Sequence, residues 1–572
     1  MTPVPSPDPR IPIVVGVTGH RDLRDEDVRH LEKKVRGIIR EMRARHPYSP
    51  IVLLSPLAEG ADQLVARVAL ELPDVTLAVP LPMPRAAYEA DFQAEGSLEE
   101  FDRLLRRARW SFELPLVRGA RAADLAPGSN AREDQYRQVG HYVARHSQVL
   151  IALWDGVSSE RRVGTQWIVR FRLTGADDPL SARAFRLDPP DDGPVYHVVT
   201  PRVSAPVPRG VPFDLVETHP DAWGSRERAR TAHAGLLHSV ETLNEDLGRL
   251  RDGDEAALPR SAQGLVPEES AADLQPPCQV VRSHYAAVDA LAIFFQGRWR
   301  RALKAILVLA AVGFVCLQAW LEYQLDWWAL LGYPAAFGLA FLVLQAGRRA
   351  ALAGKHLDYR ALAEGLRLQF FWRVAGVDQR VPDHYLRSQR SELAWIRHAL
   401  LATGIPLEES APAAARDETR YRLALRHWIG GQIRYFRRAL VRQRRHLRRF
   451  ERWAERLLAT AFALAVVLVV LQASSHLPEQ LRHLLAIGLN IALVTGTLFR
   501  FYVDRLLLHE QVRQYARMVE LFRLARRQLR QALDRRDYDA AQEIMLKLGE
   551  EALAENASWL LMHRERPLDV PG

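Results

Sequence analysis

The chain has 572 residues, too many for one hydrophobic core, and at roughly 150 residues per domain it implies several units. Hydrophobic residues make up 48% and charged residues 26%, which excludes both wholesale disorder and a wholly membrane-embedded chain. A net charge of +10 suits an anionic partner, while two cysteines, Cys278 and Cys316, exclude a disulfide scaffold and a four-thiolate zinc site. The opening M-T-P-V-P-S-P-D-P-R lacks the charged-then-apolar pattern of a cleaved signal peptide, so a secreted protein is not expected.

The N-terminal region alternates apolar runs with amphipathic stretches, as a parallel α/β sheet demands. Ile11 to Val17 predicts a strand, followed by a helix from about Glu26 to Arg45 with Val28, Leu31, Val35, Ile38 and Ile39 on one face. Ile51 to Leu54 predicts a second strand, then a helix from Ala61 to Leu72, and Val75 to Val79 a third strand. Gln148 to Leu153 and Val195 to Val199 read as later strands. Their near-continuous Val, Ile and Leu fit strands buried on both faces.

In such sheets ligands sit beyond the carboxyl ends of the strands, where loops lead into helix N-termini. Three loops there are unusual: G-V-T-G-H-R at Gly16 to Arg21, S-P-L-A-E-G-A-D at Ser55 to Asp62, and D-G-V-S-S-E-R-R-V-G-T at Asp155 to Thr165. The candidate ligand-binding residues are therefore Gly16, Thr18, Gly19, His20, Arg21, Ser55, Glu59, Gly60, Asp62, Asp155, Gly164 and Thr165. Glycines permit close backbone approach, Arg21 offers a fork to phosphate, and Glu59 and Asp62 suit ribose hydroxyls. Ordinary turn chemistry is the alternative for each loop taken singly. The first loop lacks the G-x-G-x-x-G spacing of a dinucleotide fingerprint, and the chain has no Walker A stretch.

Arg202 to Pro212 and Asp252 to Pro277 are rich in breakers and acidic residues and read as linkers. Between them, Leu236, Leu237, Val240, Leu243 and Leu247 have helical spacing and predict a coupling helix or the last helix of the α/β domain.

Four apolar runs follow: Ala305 to Leu321, Trp327 to Ala346, Leu457 to Ala473 and Leu484 to Phe499. Each approaches the length needed to span a hydrocarbon core of about 30 Å. Arg300, Arg301 and Lys304 precede the first pair, and Arg348, Arg349 and Lys355 follow it. Arg452 and Arg456 precede the second pair, and Arg500 and Arg505 follow it. The positive-inside rule then places all large segments and both termini in the cytoplasm. Trp320, Tyr323, Trp327 and Trp328 fall at belt positions.

The runs carry few polar residues. Gln318, Asn490, Thr495 and Thr497 are the candidates for helix–helix hydrogen bonds or a pore lining, with helix packing the commoner role. An ion-coupled transporter is disfavoured, because no Asp, Glu or His relay lies in the runs. A further helix is expected from about Pro382 to Leu401, packing through Tyr385, Leu386, Leu393, Trp395 and Ile396. Gly404 to Ala415 reads as a linker. The very basic Arg434 to Arg452 runs directly into an apolar run, so anionic lipid, rather than nucleic acid, is its expected partner.

The two hairpins look duplicated. Tyr359, Leu362, Glu364, Leu366 and Arg367 recur in residue type as Tyr515, Met518, Glu520, Phe522 and Arg523, at one offset that also superposes the apolar runs. The shared Glu is expected to pair with a neighbouring Arg on its helix.

The strand leading into G-V-T-G-H-R, the turn S-P-L-A-E-G-A-D-Q-L-V-A and the run V-L-I-A-L-W-D-G followed by G-T resemble the SLOG superfamily over about Ile11 to Arg202. That Rossmann-like group includes phosphoribohydrolases and nucleotide-sensing channel domains. Its hydrolases carry P-G-G-x-G-T-x-x-E with a catalytic Glu. Gly164 and Thr165 match, the Pro-Gly-Gly is missing, and Ile168 stands where the Glu belongs. An isoleucine cannot move a proton, so binding without hydrolysis is what the resemblance implies. The hairpin half is similar to the SLATT-type modules that accompany SLOG sensors in bacterial conflict systems.

The expected architecture is an α/β Rossmann-like domain with a parallel sheet at 1–202, a linker with a coupling helix at 203–280, a first transmembrane hairpin with cytoplasmic helices at 281–403, a linker at 404–415 and a second hairpin at 416–572. The expected function is a membrane effector of the bacterial inner membrane, controlled by a nucleotide-derived ligand, and the family resemblance implies a role in antiphage defence. It needs no metal, no catalytic residue and no other cofactor, and works as a homo-oligomer, because four short helices hardly enclose a pore alone. A membrane-anchored hydrolase of nucleotides or ribose derivatives, using Glu59, Asp62 or Asp155 as acid or base, is the alternative. A scaffold whose sheet binds a protein partner is the third reading.

Overall fold

The structure, a computed structural model, describes residues 7–157, 164–175, 193–220, 225–272, 274–323, 327–385, 393–408, 417–473, 478–505 and 508–564. Two compact units emerge: Met1–Ala290 with Ala361–Ala414, and Leu291–Arg360 with Ala415–Gly572.

The first unit is built on a seven-stranded sheet. Its strands are β1 (Ile13–Gly19), β2 (Ile51–Leu54), β3 (Val75–Leu81), β4 (Trp110–Glu113), β5 (Val149–Trp154), β6 (Val195–Val199) and β7 (Leu215–Thr218). They are ordered β4-β3-β2-β1-β5-β6-β7, and all pairs are parallel except β6 with β7. The five predicted strands are present. β4 and β7 went unpredicted: W-S-F-E and L-V-E-T are short, half-polar edge strands without the continuous apolar run of a central one. The order reverses between β1 and β5, the switch point at which doubly wound sheets open a crevice.

The helices of this unit are α1 (Val28–Arg45), α2 (Ala61–Ala69), α3 (Ser97–Arg107), α4 (Asn130–His146), α5 (Thr165–Thr174) and α6 (Arg226–Gly253). Helix α1 buries Leu31, Val35, Ile38 and Ile39 of the predicted stripe together with Met42, and Val28 is half-buried. Helix α2 buries nearly every side chain.

The region 203–280, read as a linker with a coupling helix, holds more structure than that among its described residues. It supplies β7, α6 and two short helices, Ala257–Leu265 and Glu268–Ala271. Leu236, Leu237, Val240, Leu243 and Leu247 of α6 are buried as their spacing predicts. Asn244 fixes the helix to the sheet's amino edge: its Oδ1 accepts from the Ile11 amide at 2.9 Å and its Nδ2 donates to the Ile11 carbonyl at 2.8 Å. Glu241 accepts from the Ser49 hydroxyl and the Tyr48 amide.

The sequence-read boundaries near 403 and 415 also differ from the folded units. Residues 361–408 belong to the sheet unit, and the helix Ala394–Glu408 continues through Gly404 and Pro406, where a linker was expected. Ala402 and Ile405 join the core formed by Val14, Val52, Leu150 and Val195. Tyr385, Leu393, Trp395 and Ile396 are buried as expected, whereas Leu386 and 409–415 lie outside the described residues. The physical reason is that helical periodicity marks a face to be buried without naming the surface that buries it.

In the second unit the long helices are α7 (Pro276–Tyr323, which starts in the first unit), α8 (Gly332–Arg349), α9 (Leu352–Val374, which continues into it), α10 (Gly430–Ala473), α11 (Glu479–Arg505), α12 (Leu508–Asp534) and α13 (Tyr538–Arg564). Four helical stretches, Pro276–Leu321, Gly332–Val374, Glu418–Ala473 and Glu479–Asp534, are long and apolar enough to cross a membrane. They contain three of the predicted runs and the second from Gly332 on, Trp327–Leu330 forming a separate short helix, and Phe462, Val469, Leu342 and Val308 are exposed on them. A π-helical turn, Leu425–Ile429, precedes α10.

The duplicated Glu residues pair within their helices, Glu364 with Arg367 and Glu520 with Arg523 at 2.7 Å. Of the four polar candidates in the runs, two meet: Asn490 Nδ2 of α11 donates to Gln318 Oε1 of α7 at 2.7 Å, joining the hairpins. Thr497 donates back to the Leu493 carbonyl of its own helix.

Candidate functional site

The loops leaving β1, β2, β5 and β6 meet at the carboxyl end of the sheet beside the switch point. The loops after β1, β5 and β6 centre on Asp155, 1% exposed, directly after β5. Its Oδ1 accepts from the Val157 amide at 3.0 Å, and its Oδ2 lies 2.8 Å from Arg202 Nε in an ion pair. His20 Nε2 stands 3.2 Å from Asp155 Oδ1 and accepts from the Asp155 amide at 3.1 Å. Burial outweighs the carboxylate's attraction and lowers the His20 pKa, which favours the neutral ring as an acceptor.

The loop after β6 closes over β1. Asp22 Oδ2 accepts from the amide of Ser204, and the Val203 amide donates to the Asp22 carbonyl. His197 of β6 lies beside the Trp154 carbonyl at 2.8 Å, its pKa lowered by burial.

Three of the four glycines singled out in the sequence approach protein rather than empty space. A Cβ on Gly16 would strike Ser147 and Val143, and one on Gly19 would overlap Ala61 and come within 2.9 Å of the Leu153 carbonyl. Gly60, at φ +78°, faces the carbonyls of Arg21 and His20. The loops after β1 and β2 are thus locked together, the Ala61 amide donating to the His20 carbonyl at 3.1 Å. Gly164 differs: it caps α5 at φ +116° with open space on its Cβ side, and its neighbour Thr165 is buried. Residues 158–163 of that loop lie outside the described residues. Ile168 packs against Gly140 of α4 and the sheet core.

The polar candidates divide in the same way. Thr18 is buried within β1, and Ser55 is fully buried, its hydroxyl accepting from the Leu57 amide. Glu59 Oε1 accepts from the Gln93 amide at 2.5 Å, the Ala94 amide at 2.9 Å and the Ser97 hydroxyl at 2.7 Å. Burial alone raises its pKa, and those donors reverse the shift and hold it low. Glu59 therefore staples the β2 loop to the segment before α3, and its donors occupy the oxygen assigned to a ribose. Asp62, in the first turn of α2, is buried, and burial pushes its carboxyl up to about 7.

Arg21 is exposed, its guanidinium 5.2 Å from the Tyr136 ring centroid. Behind it Tyr136 donates to Asp91, which also pairs with Arg132 at 2.8 Å, and burial raises the Tyr136 pKa to about 12. Tyr88 donates to the Pro56 carbonyl at 3.1 Å.

Sequence reasoning missed Arg202, His197, Tyr88 and Tyr136. Arg202 was within reach, because it follows a predicted strand in the same position that selected the other loops. The two tyrosines lie between strands, one in a short helix and one in α4, and no motif marks them.

Arg21, Arg202 and the N-terminus of α5 offer positive potential to an anion. Asp62, its carboxyl pushed up to about 7 by burial, can exchange its proton near neutral pH. Among the described residues no group of His, Cys, Asp and Glu could hold a metal ion. No protein-family model matches the sequence, and no curated protein matches it.

Proposed function

We propose that the chain is a bacterial membrane effector in which a SLOG-like sheet unit senses a nucleotide-derived signal and controls the four-helix unit. The observation that carries this reading is the meeting of the loops after β1, β5 and β6 around Asp155, with the β2 loop locked to the β1 loop, at the switch point of a parallel sheet, in a chain that also has four membrane-length helices. Arg21 and the amides at Gly164–Thr165 would take phosphate, and the Asp155 loop would face the sugar. The SLATT-like hairpins lie in the inner membrane with both termini cytoplasmic, and permeabilise or depolarise it as a homo-oligomer during antiphage defence. Arginines at the membrane end of Arg434–Arg452 rest on anionic lipid, and nucleic acid is not a partner. Control requires that the ligand bind one state better than the other.

The test is a thermal-shift panel of nucleotide signals on the detergent-solubilised full chain, with product analysis of each mixture. The full chain is required because a piece ending at Arg202 would lack β7 and the Asn244 contacts of α6. A ligand at 100 times its Kd should stabilise by about 2.7 kcal/mol. That shift should be lost in Arg21→Ala, and the same ligand should release dye from liposomes containing the chain. Absence of any shift across the panel would sink the sensor.

A membrane-anchored hydrolase is the second reading, favoured by one observation: the Asp62 carboxyl, raised to about 7, suits a general acid. Product formation that disappears in Asp62→Asn would put that reading first.

A further inference from the structure

Helix α10 carries a charged groove that the sensor site does not use. A groove of about 620 Å³ is lined by Arg434, Arg437, Arg438, Arg442, Arg445 and His446, with Val441 between them. From Gly430 to Phe450 the sequence has eight arginines and no Asp or Glu. The five groove arginines are exposed, and among the described residues none of them forms an ion pair.

The opposite face of the helix is the packed one. Phe436 meets Tyr515 and Phe522 of α12, Gln443 donates to Gln511 at 2.9 Å, and Ala439 and Leu447 are buried. At about 100° per residue the packed side chains and the arginines fall on opposite sides of the cylinder. The arginines are therefore held at helical spacing on a rigid element. Like charges three and four residues apart repel when nothing lies between them. A phosphate between two guanidinium forks would relieve that repulsion with charge-assisted hydrogen bonds.

Distance along the helix distinguishes the possible sources of phosphate. Helix α10 is unbroken from Gly430 to Ala473, and its apolar run starts at Leu457. At 1.5 Å per residue Arg445 lies about 18 Å and Arg434 about 35 Å before that point. The headgroup layer is only about 5–8 Å thick on each side of the hydrocarbon. A helix tilted by about 40° would still hold Arg445 about 14 Å from the hydrocarbon edge. Arg448, Arg449 and Arg452 fall in or next to the headgroup zone, whereas the groove lies beyond it.

We propose that the Arg434–Arg445 face is a second anion site, on the membrane unit itself, for a soluble molecule bearing several phosphate groups. Its occupant neutralises the arginine face just before the membrane helix and so acts on the hairpin directly, independently of the sheet site.

The test is calorimetric titration of inorganic tripolyphosphate into the full chain in nanodiscs of pure phosphatidylcholine, repeated with 30% phosphatidylglycerol. Saturable binding is expected, weakened at least tenfold in Arg437→Gln/Arg438→Gln/Arg445→Gln. The Arg448→Gln/Arg449→Gln/Arg452→Gln protein should lose less than threefold. Lysines at 437, 438 and 445 should restore most of the affinity, which separates loss of charge from loss of fold. Phosphatidylglycerol should weaken binding less than threefold, since all of the groove except its Arg445 end lies beyond a Debye length of about 8–10 Å from the headgroups. No saturable binding, or equal losses in the two glutamine variants, would overturn the site. A tenfold or larger loss with phosphatidylglycerol would overturn the soluble ligand and assign the groove to lipid.

Discussion

Val207 in the sheet unit and Leu339 in the helical unit are both exposed apolar residues, at 85% and 50%, yet they belong to opposite regimes. Val207 stands between two prolines in a surface loop where Val203 and Val211 are exposed as well, isolated valines separated by Ser, Ala, Pro, Arg and Gly, which is ordinary for a protein surface. Leu339 has Phe341 and Leu342 beside it and Phe462 and Val469 on the companion hairpin, all exposed, in a unit whose candidate spans bury few of their residues. In the sheet unit polar groups move inward instead: Asp155, Asp62, Arg172 and Gln148 are buried with partners. The contrast is the one expected of two units folded against different solvents. Composition averaged over the chain conceals this.

Charge at the apolar surface should break the comparison most strongly. Leu339→Arg is expected to cost about 3 kcal/mol of membrane insertion and to leave protein in the soluble fraction or degraded. Val207→Lys should change stability by less than about 0.5 kcal/mol. Equal behaviour of the two variants in a membrane-fractionation assay would refute the assignment of different solvents.

The locked loops of the sheet unit come next. Gly60→Ala forces a side chain onto the Arg21 and His20 carbonyls at positive φ and should lose at least about 2 kcal/mol, read as a lowered Tm. Gly37→Ala, mid-helix in α1 with open space around it, should instead gain about 0.5–1 kcal/mol. Asp155→Asn should cost about 2 kcal/mol, because it withdraws the carboxylate from Arg202 while the burial remains.

The pH profile sharpens the polar side of the comparison. Asp62 has its pKa raised from 3.8 to about 7, so its stabilising protonated state is complete below about pH 4 and is lost as the pH rises to 7. His233 and His284, lowered by burial to about 3 and about 4, act in the opposite direction. They stabilise above pH 6.5, and that contribution is lost on acidification. Asp62→Asn should therefore gain on the wild type steadily between pH 4 and pH 7 in urea titrations. A constant difference over that window would contradict a buried, protonated Asp62.

The smallest expected effect lies between the hairpins. Asn490→Leu removes the hydrogen bond to Gln318 and should cost only about 0.6 kcal/mol, since hydrogen bonds between membrane helices are weak on average. A steric-trap unfolding measurement in bicelles can resolve that value, and a loss several times larger would point to a conducting role for the pair.

Much of this molecule was legible in its sequence. Strands buried on both faces must be continuously apolar, so β1, β2, β3, β5 and β6 stood out, and four runs near membrane length identified the other unit. The loops after β1, β2 and β5 could be chosen because ligands collect at the carboxyl ends of parallel strands. Long-range packing decided the rest. Glu59 was read as a ribose ligand but became a staple, because two donors from the segment before α3 and one from its first residue reach it only in the folded chain. Gly16, Gly19 and Gly60 looked suited to ligand approach, and tertiary contacts placed a neighbouring helix or loop in that space. Arg202 joined Asp155 across the sheet, and residues 361–408 went to the sheet core although they follow a membrane hairpin in the chain. Periodicity is a local property that fixes which face of an element must be covered. What covers it depends on contacts between residues hundreds of positions apart, and only the tertiary structure supplies those.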